Sequence, residues 1–285
     1  MYRPHPSWVV RLGRSIVPAR PRPPVYHLPP VMMARCVGSA LRHQRRDVWH
    51  DVIHLSDSMR PQPLILGIEN VPTIGVCVVL PNHYERKDAI WVGWGAIAIS
   101  AAIARRRSRG GTIHWVMTNT WQDCYLGPWR FPPAYLEWVL RRFSHLYGII
   151  IMPEDVSDVP QRATALRELV RALGDPAGPV IAFHPEGGGF ETLIRPPHGM
   201  GHLLSMLDSR HLTCIPTGVY EDLGRLVVRF GAPLPAGSLV GLCDAEASDA
   251  VMRAIANLVP PRDRGVYSDL PAPARSQIAE PATRA

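Results

Sequence analysis

The sequence predicts an α/β fold, a mostly parallel central sheet flanked by helices. Three observations point there. Apolar runs of strand length alternate with longer helical stretches, the pattern that βα units produce. Two of those runs, Ile74–Leu80 and Pro179–Phe183, break off into polar turns. The chain has 285 residues, of which 46% are hydrophobic and 19% charged, so one large or two small domains can bury a substantial core.

Along the chain, residues 1–30 are rich in proline and arginine (Pro21-Arg22-Pro23-Pro24, Pro29-Pro30) and are expected to be extended or disordered. Residues 31–60 carry a helix or two. Strands are expected at 73–80, 112–118, 147–152, 179–184, 212–219 and 225–231, and helices at 87–106, 132–145, 160–174, 199–209 and 244–258. Ala89 to Ala104 is an uncharged run of sixteen residues, short of the about 20 that a membrane span needs. It reads as a buried helix with Arg105, Arg106 and Arg107 at its carboxyl end, where the helix dipole favours cations. An interfacial role for Trp91 and Trp94 is the alternative. The aromatic segment 118–131 is either a lid or apolar wall, or a packed surface loop. From Pro260 the chain is expected to loosen. The domain plan is therefore a basic arm at 1–60, a core domain at 61–259 and a tail at 260–285.

Charge is unevenly spread. Residues 1–60 hold ten arginines against three aspartates, an excess equal to the net charge of the whole chain, +7. Such an arm suits an anionic membrane surface. It carries no nucleic-acid-binding motif, so no nucleic acid partner is expected. The five cysteines (Cys36, Cys77, Cys124, Cys214, Cys243) are scattered and lack zinc spacing, as fits a reducing cytoplasm. No signal-peptide pattern is present. A cytoplasmic protein, peripheral on the inner face of the membrane, is expected.

The first polar turn reads Asn82-His83-Tyr84-Glu85-Arg86-Lys87-Asp88. A neutral imidazole can take a proton from an attacking hydroxyl, and a carboxylate can fix its tautomer. Positions five apart in a helix lie about 140° apart around the axis. The pair therefore works only with His83 in the turn and Asp88 in the first turn of the helix. On the plainer reading Asn82 caps the helix, Asp88 is a first-turn acid and His83 is incidental. The second turn reads His184-Pro185-Glu186-Gly187-Gly188.

Together these blocks resemble the glycerolipid (lysophospholipid) acyltransferase family, the 1-acyl-glycerol-3-phosphate acyltransferase-like, His-x4-Asp enzymes. Asn82-His83-x4-Asp88 matches the first block. Phe183-His184-Pro185-Glu186-Gly187 resembles Phe-Pro-Glu-Gly, with His184 inserted. Pro197-x3-Gly201 and Ile215-Pro216-Thr217-Gly218-Val219 resemble the later blocks, in the family's order from about Pro72 to Pro235. The resemblance implies a glycerol-3-phosphate acyltransferase-like fold and an acyltransferase domain at 61–259. It implies transfer of an acyl group from acyl-CoA or acyl carrier protein to the hydroxyl of a lipid or lyso-lipid acceptor, with no other cofactor. His83 would be the general base, Asp88 its orienter, and Asn82, Glu186, Gly187 and Gly188 part of the acceptor site. Two arginines of the family are missing. Met152 or Pro153 stands where the strand ending Tyr147–Glu154 should carry one, and Gly188-Gly189 replaces Thr-Arg. A guanidinium grips phosphate through a bidentate fork, so the acceptor side is expected to differ. Arg195 or Arg130 could substitute. Two other classes remain: a non-catalytic lipid-binding relative, and a metal-dependent hydrolase built on His184, Glu186, His198 and His202.

Overall fold

A computed structural model of the chain describes residues 23–86, 90–108, 111–118, 125–126, 129–130, 133–153 and 157–270, the side chains of 125–136 excepted. Two helices, α1 (Pro30–Leu41) and α2 (Val48–Ser58), precede the sheet. The strands of the sheet are β1 (Leu64–Leu66), β2 (Cys77–Pro81), β3 (Ile113–Met117), β6 (Ile150–Ile151), β7 (Val180–Ala182), β8 (Thr213–Asp222) and β9 (Arg225–Phe230). They lie in the order β1-β9-β8-β2-β7-β3-β6. β8 and β9 are antiparallel, and the other neighbours pair in parallel. The α/β architecture expected from the alternating pattern is thus present.

The strand alternation explains the layers. Cys77 and Val79 of β2, with Val180 and Ala182 of β7, face one core, where they meet Ala98, Ile99, Ala102 and Ile103 of α3 (Gly93–Arg106). Val78, Leu80, Ile181 and Phe183 face the other core. There they meet Leu204 and Leu207 of α6 (Met200–Asp208), and Val251 and Ile255 of α7 (Asp244–Ala256). A strand buried on both faces must be a continuous apolar run, and β2 is buried at all five positions. Helices α4 (Pro133–Tyr147) and α5 (Val159–Leu173) connect β3, β6 and β7.

Chain order fixes where a site can form. From β2 the chain passes through α3 to β3, beyond β7. From β7 it passes through α6 to β8, on the other side of β2. The two connections leave on opposite faces, so a crevice opens at the carboxyl ends of β2 and β7. Both polar turns lie there.

Several boundaries differ from the sequence expectation. Helix α3 begins at Gly93, not at residue 87. Arg86 and Ile90 instead exchange backbone bonds, at 3.0 and 2.9 Å, as an antiparallel bridge. The expected placement of Asp88 in the first turn of this helix falls on a residue outside the described ones. The strand expected at 147–152 shrinks to Ile150–Ile151, because α4 runs to Tyr147 and Gly148 ends it with φ +67°. Strand β1 and a short hairpin, β4 (Tyr125–Leu126) with β5 (Trp129–Arg130), were not foreseen. The latter lies within the aromatic segment 118–131, whose side chains from 119 onward are outside the described residues. The chain also stays packed past Pro260, as far as Leu270. Leu193 N–H donates to the Asp263 carbonyl and the Leu193 carbonyl accepts from Val266 N–H, which seats Asp263, Arg264 and Tyr267 in buried positions. No helix among the described residues is long and apolar enough to cross a membrane.

Arg107, 5% exposed, ties the amino ends of β2 and β7 to the end of α3. Its guanidinium donates to the carbonyls of Pro72 (2.9 Å), Gly178 (2.7 Å) and Gly75 (2.9 Å), and to Cys77 Sγ (3.2 Å). Arg107→Met keeps the apolar stem and strands those acceptors. It should lower stability by about 2–4 kcal/mol, seen as a lower urea midpoint at unchanged m. A midpoint like that of the wild type would show that water replaces the guanidinium.

Candidate active site

The turn after β2 is fastened before any chemistry is considered. The carboxamide of Asn82, 5% exposed, pairs with one peptide of β8. Its Nδ2 donates to the Val219 carbonyl at 2.9 Å, and its Oδ1 accepts from Val219 N–H at 2.6 Å. The two bonds fix which end of the amide is oxygen. They also occupy the side chain, so Asn82 holds the turn rather than reaching into the crevice.

Glu186 joins the two turns. Its Oε2 accepts from the His83 N–H at 2.6 Å, and its Oε1 from the Ile194 N–H at 2.9 Å. The carboxyl group is buried, which pushes its pKa up to about 7; the two N–H donors oppose that rise. The turns are zipped further at Phe190. Phe190 N–H donates to the His83 carbonyl and the Phe190 carbonyl accepts from Glu85 N–H, each at 3.0 Å. Gly187 (φ +71°) turns the chain after the clip in a conformation that favours glycine.

His83 sits inside this frame. Burial pulls its imidazole pKa down from 6.5 to about 4, so the ring is neutral at pH 7. Among the described residues its buried Nδ1 has no hydrogen-bond partner. A Cβ added to Gly189 would come within 2.7 Å of that Nδ1 and 2.1 Å of Glu85 Oε2. The Gly189 backbone, the Glu85 carboxylate and the Nδ1 edge therefore converge on one spot, and a side chain at 189 would have to displace one of them. Burial raises the pKa of Glu85. On another side the His83 ring meets the His184 ring edge-to-face, centroids 4.5 Å apart.

Other candidate residues have different surroundings. Arg195 is exposed, one residue past the Ile194 clip. Arg86, inside the first motif, pairs with Glu221 at 3.1 Å, and Glu221 also accepts from Tyr84 Oη at 2.8 Å. Met152, which stands where the resemblance would place an arginine, packs into the second core, and its N–H donates to the Met117 carbonyl. The side chain of Arg130 is outside the described residues. Gly199 precedes α6 with φ +91°, so His198 lies outside the helix. His198 and His202 both approach the Asp244 carboxylate, at 2.7 and 3.4 Å, and Asp244 also accepts the N–H groups of Gly199 and His202. That arrangement caps α6. Among the described residues no three His, Cys, Asp or Glu side chains group as a metal site would.

Sequence reasoning singled out His83, Asn82, Glu186 and the glycines from Gly187 to Gly189, and gave no role to Glu85, Trp115 or Glu221, which the structure places around them. The third glycine of Gly187-Gly188-Gly189 was the available signal for close approach; nothing local marked Trp115 or Glu221.

Fold and site together define an α/β protein with a half-buried neutral imidazole at a topological switch point. No protein-family model matches the chain, and no curated protein matches it. Among solved structures it is similar to the crystal structure of the 1-acyl-sn-glycerophosphate (LPA) acyltransferase PlsC from Thermotoga maritima. The two are 12% identical, with 79% of this chain and 86% of that chain covered and a TM-score of 0.46. At that level the likeness carries no functional conclusion.

Glu186 and His83 shift stability with pH in opposite senses. Glu186 titrates near 7 when folded, against an ordinary 4.5, so the folded state binds more protons across that window and stability falls as pH rises through it. His83 titrates near 4 against 6.5, so the folded state binds fewer protons and stability is lost as pH falls through that window. Glu186→Gln removes the first effect and keeps the second. It should cost about 1–3 kcal/mol, because one backbone N–H then faces an amide donor. Its stability, from urea unfolding at a series of pH values, should also climb more steeply with pH than that of the wild type. Equal slopes would rule out the buried titration of Glu186.

Proposed function

We propose that the chain is an O-acyltransferase that moves a fatty acyl group from an acyl thioester to a hydroxyl of a lipid-like acceptor. The observation that carries this reading is the half-buried, neutral imidazole of His83, whose backbone the Glu186 clip fixes at the carboxyl ends of β2 and β7. The resemblance of Asn82-His83-x4-Asp88 and Phe183–Gly187 to the acyltransferase blocks supports it.

In this reaction His83 takes the hydroxyl proton as the acceptor oxygen attacks the thioester carbonyl carbon. The C–S bond then breaks, the proton passes from the imidazolium to the departing thiolate, and ester and thiol leave. An imidazole held near 4 is a weak base unless a carboxylate stabilises its protonated form. Asp88 is assigned that role, at the Nδ1 edge, which leaves Nε2 for the acceptor. Gly187 N–H already donates to the His184 carbonyl at 3.2 Å, so the N–H groups assigned to the oxyanion are those of Gly188 and Gly189.

The acceptor is assigned as a lipid hydroxyl without a phosphomonoester next to it. Met152 and Gly189 stand where phosphate-gripping arginines would be, and Arg86 is already committed to Glu221. Contact with a membrane surface fits the arm. Helix α1 exposes Val31, Val37 and Leu41 beside exposed Arg35 and Arg42, an amphipathic basic face suited to anionic lipid.

The test is thiol release from long-chain acyl-CoA with a panel of acceptors: glycerol 3-phosphate, lysophosphatidate, lyso-lipids lacking the phosphomonoester and a lyso-aminolipid. His83→Ala should lower the rate by roughly 10²–10⁴ with the fold retained. The acid limb of kcat/KM should fall below 6.5, toward 4, because only protonation of His83 removes the base. If acyl-CoA gives no acceptor-dependent release, acyl carrier protein donors are tried next, and failure of both leaves a lipid-binding protein. Near-full transfer by His83→Ala would overturn the base assignment.

A further inference from the structure

His184, the residue inserted into the Phe-Pro-Glu-Gly pattern, has surroundings that packing alone does not explain. It follows β7 by two residues and is half-buried, with its imidazole pKa well below the ordinary value because of burial and the nearby His83. A phenylalanine there would cost less to bury than a polar ring. Yet one nitrogen is used: Nδ1 lies 3.2 Å from the Pro81 carbonyl oxygen. A carbonyl only accepts, so Nδ1–H is the donor, and the ring is a neutral tautomer with its plane fixed by that bond.

His184 is braced from behind. Its ring stacks on Trp115, centroids 5.3 Å apart and planes 28° apart. Trp115 Nε1–H donates to Ser100 Oγ at 2.9 Å, and Ser100 Oγ–H to the Ala96 carbonyl at 2.7 Å, within α3. A chain of contacts thus runs from the α3 backbone through Trp115 and His184 to His83.

His83 needs such a brace. Its Nδ1 has no partner among the described residues, and the terminal torsion of an imidazole is broad and roughly two-fold on its own. What limits the ring is contact, with Gly189 on one side and the edge-on ring of His184, 70° from its plane, on another.

We propose that His184 is a positioning residue for His83: anchored to the Pro81 carbonyl and backed by Trp115, its ring sets the plane in which the His83 imidazole meets the acceptor. This rests on the reading of His83 as the general base. His184 touches no substrate and exchanges no proton in it.

The experiment compares His184→Ala, His184→Phe and His184→Asn. Phe restores a ring between Trp115 and His83 without the Pro81 bond; Asn can keep that bond and supplies no ring. With His184→Ala, kcat should fall about 10- to 100-fold, the scale of a small misplacement, while KM for the donor stays put. His184→Phe should recover most of kcat and His184→Asn should not. Should His184→Ala fail to fold, His184→Asn carries the same comparison. In parallel, ¹⁵N-histidine spectra should show one sharp His83 imidazole in the wild type and in His184→Phe, and a broadened or doubled one in His184→Ala or His184→Asn. Its resonance is identified by its loss in His83→Ala. Wild-type kcat in His184→Ala, rescue by Asn instead of Phe, or an unchanged His83 spectrum without the ring would overturn the proposal. If the wild type transfers no acyl group, the base reading falls, and the imidazole spectrum still decides whether His184 positions His83.

Discussion

One carboxylate holds the site together. Glu186 bonds the N–H of His83 in one turn and that of Ile194 in a loop beyond the other, and both donors are main-chain groups. Strands β2 and β7 bring the turns side by side through their parallel register, Val79 beside Ala182. Register alone leaves the polar ends of two strands facing a crevice. The clip, together with the Phe190 bonds and the Asn82–Val219 pairing, converts adjacency into a fixed geometry. A buried carboxyl group is costly, and two N–H donors partly offset that cost.

Burial is also what gives His83 its character. Taking the ring out of water disfavours its charged form, so it is deprotonated at neutral pH without any help. The same burial makes it a reluctant proton acceptor, and a carboxylate beside the ring would offset that. Glu85 lies at the Nδ1 edge and Asp88 follows it in the sequence. Neighbouring His184 cannot serve, because its own burial keeps it neutral. The site is thus built from groups that each avoid charge in isolation.

The sequence carried the architecture well, because a strand buried on both faces has to be an apolar run, and Cys77–Pro81 and Val180–Ala182 are such runs. It located His83 and Glu186 because both follow those runs directly. It misjudged the start of α3: the mutual bonds of Arg86 and Ile90 depend on the turn's tertiary setting, whereas local propensity favoured helix from residue 87. It assigned Asn82 and Glu186 to the acceptor side without showing the backbone groups they bond. A polar side chain at a strand end looks alike whether it grips substrate or backbone, and only Val219 and Ile194, distant in sequence, tell the difference. Trp115 and Glu221 were illegible for the same reason: their partners lie in other elements. His184 was noticed as an insertion, but its stacking on Trp115 depends on β3 lying beside β7.

The outer strands of the sheet have a bearing on how the chain behaves among its own copies. β1 offers three residues at one edge and β6 two at the other, with the longest strand, β8, well inside the sheet. An edge that short gives an incoming strand almost no ladder to extend, so templated growth from chain to chain starts poorly at either side. Strand addition is the common way for sheets to stick together. Here the apolar stock of the sheet is kept central, and its margins are blunt.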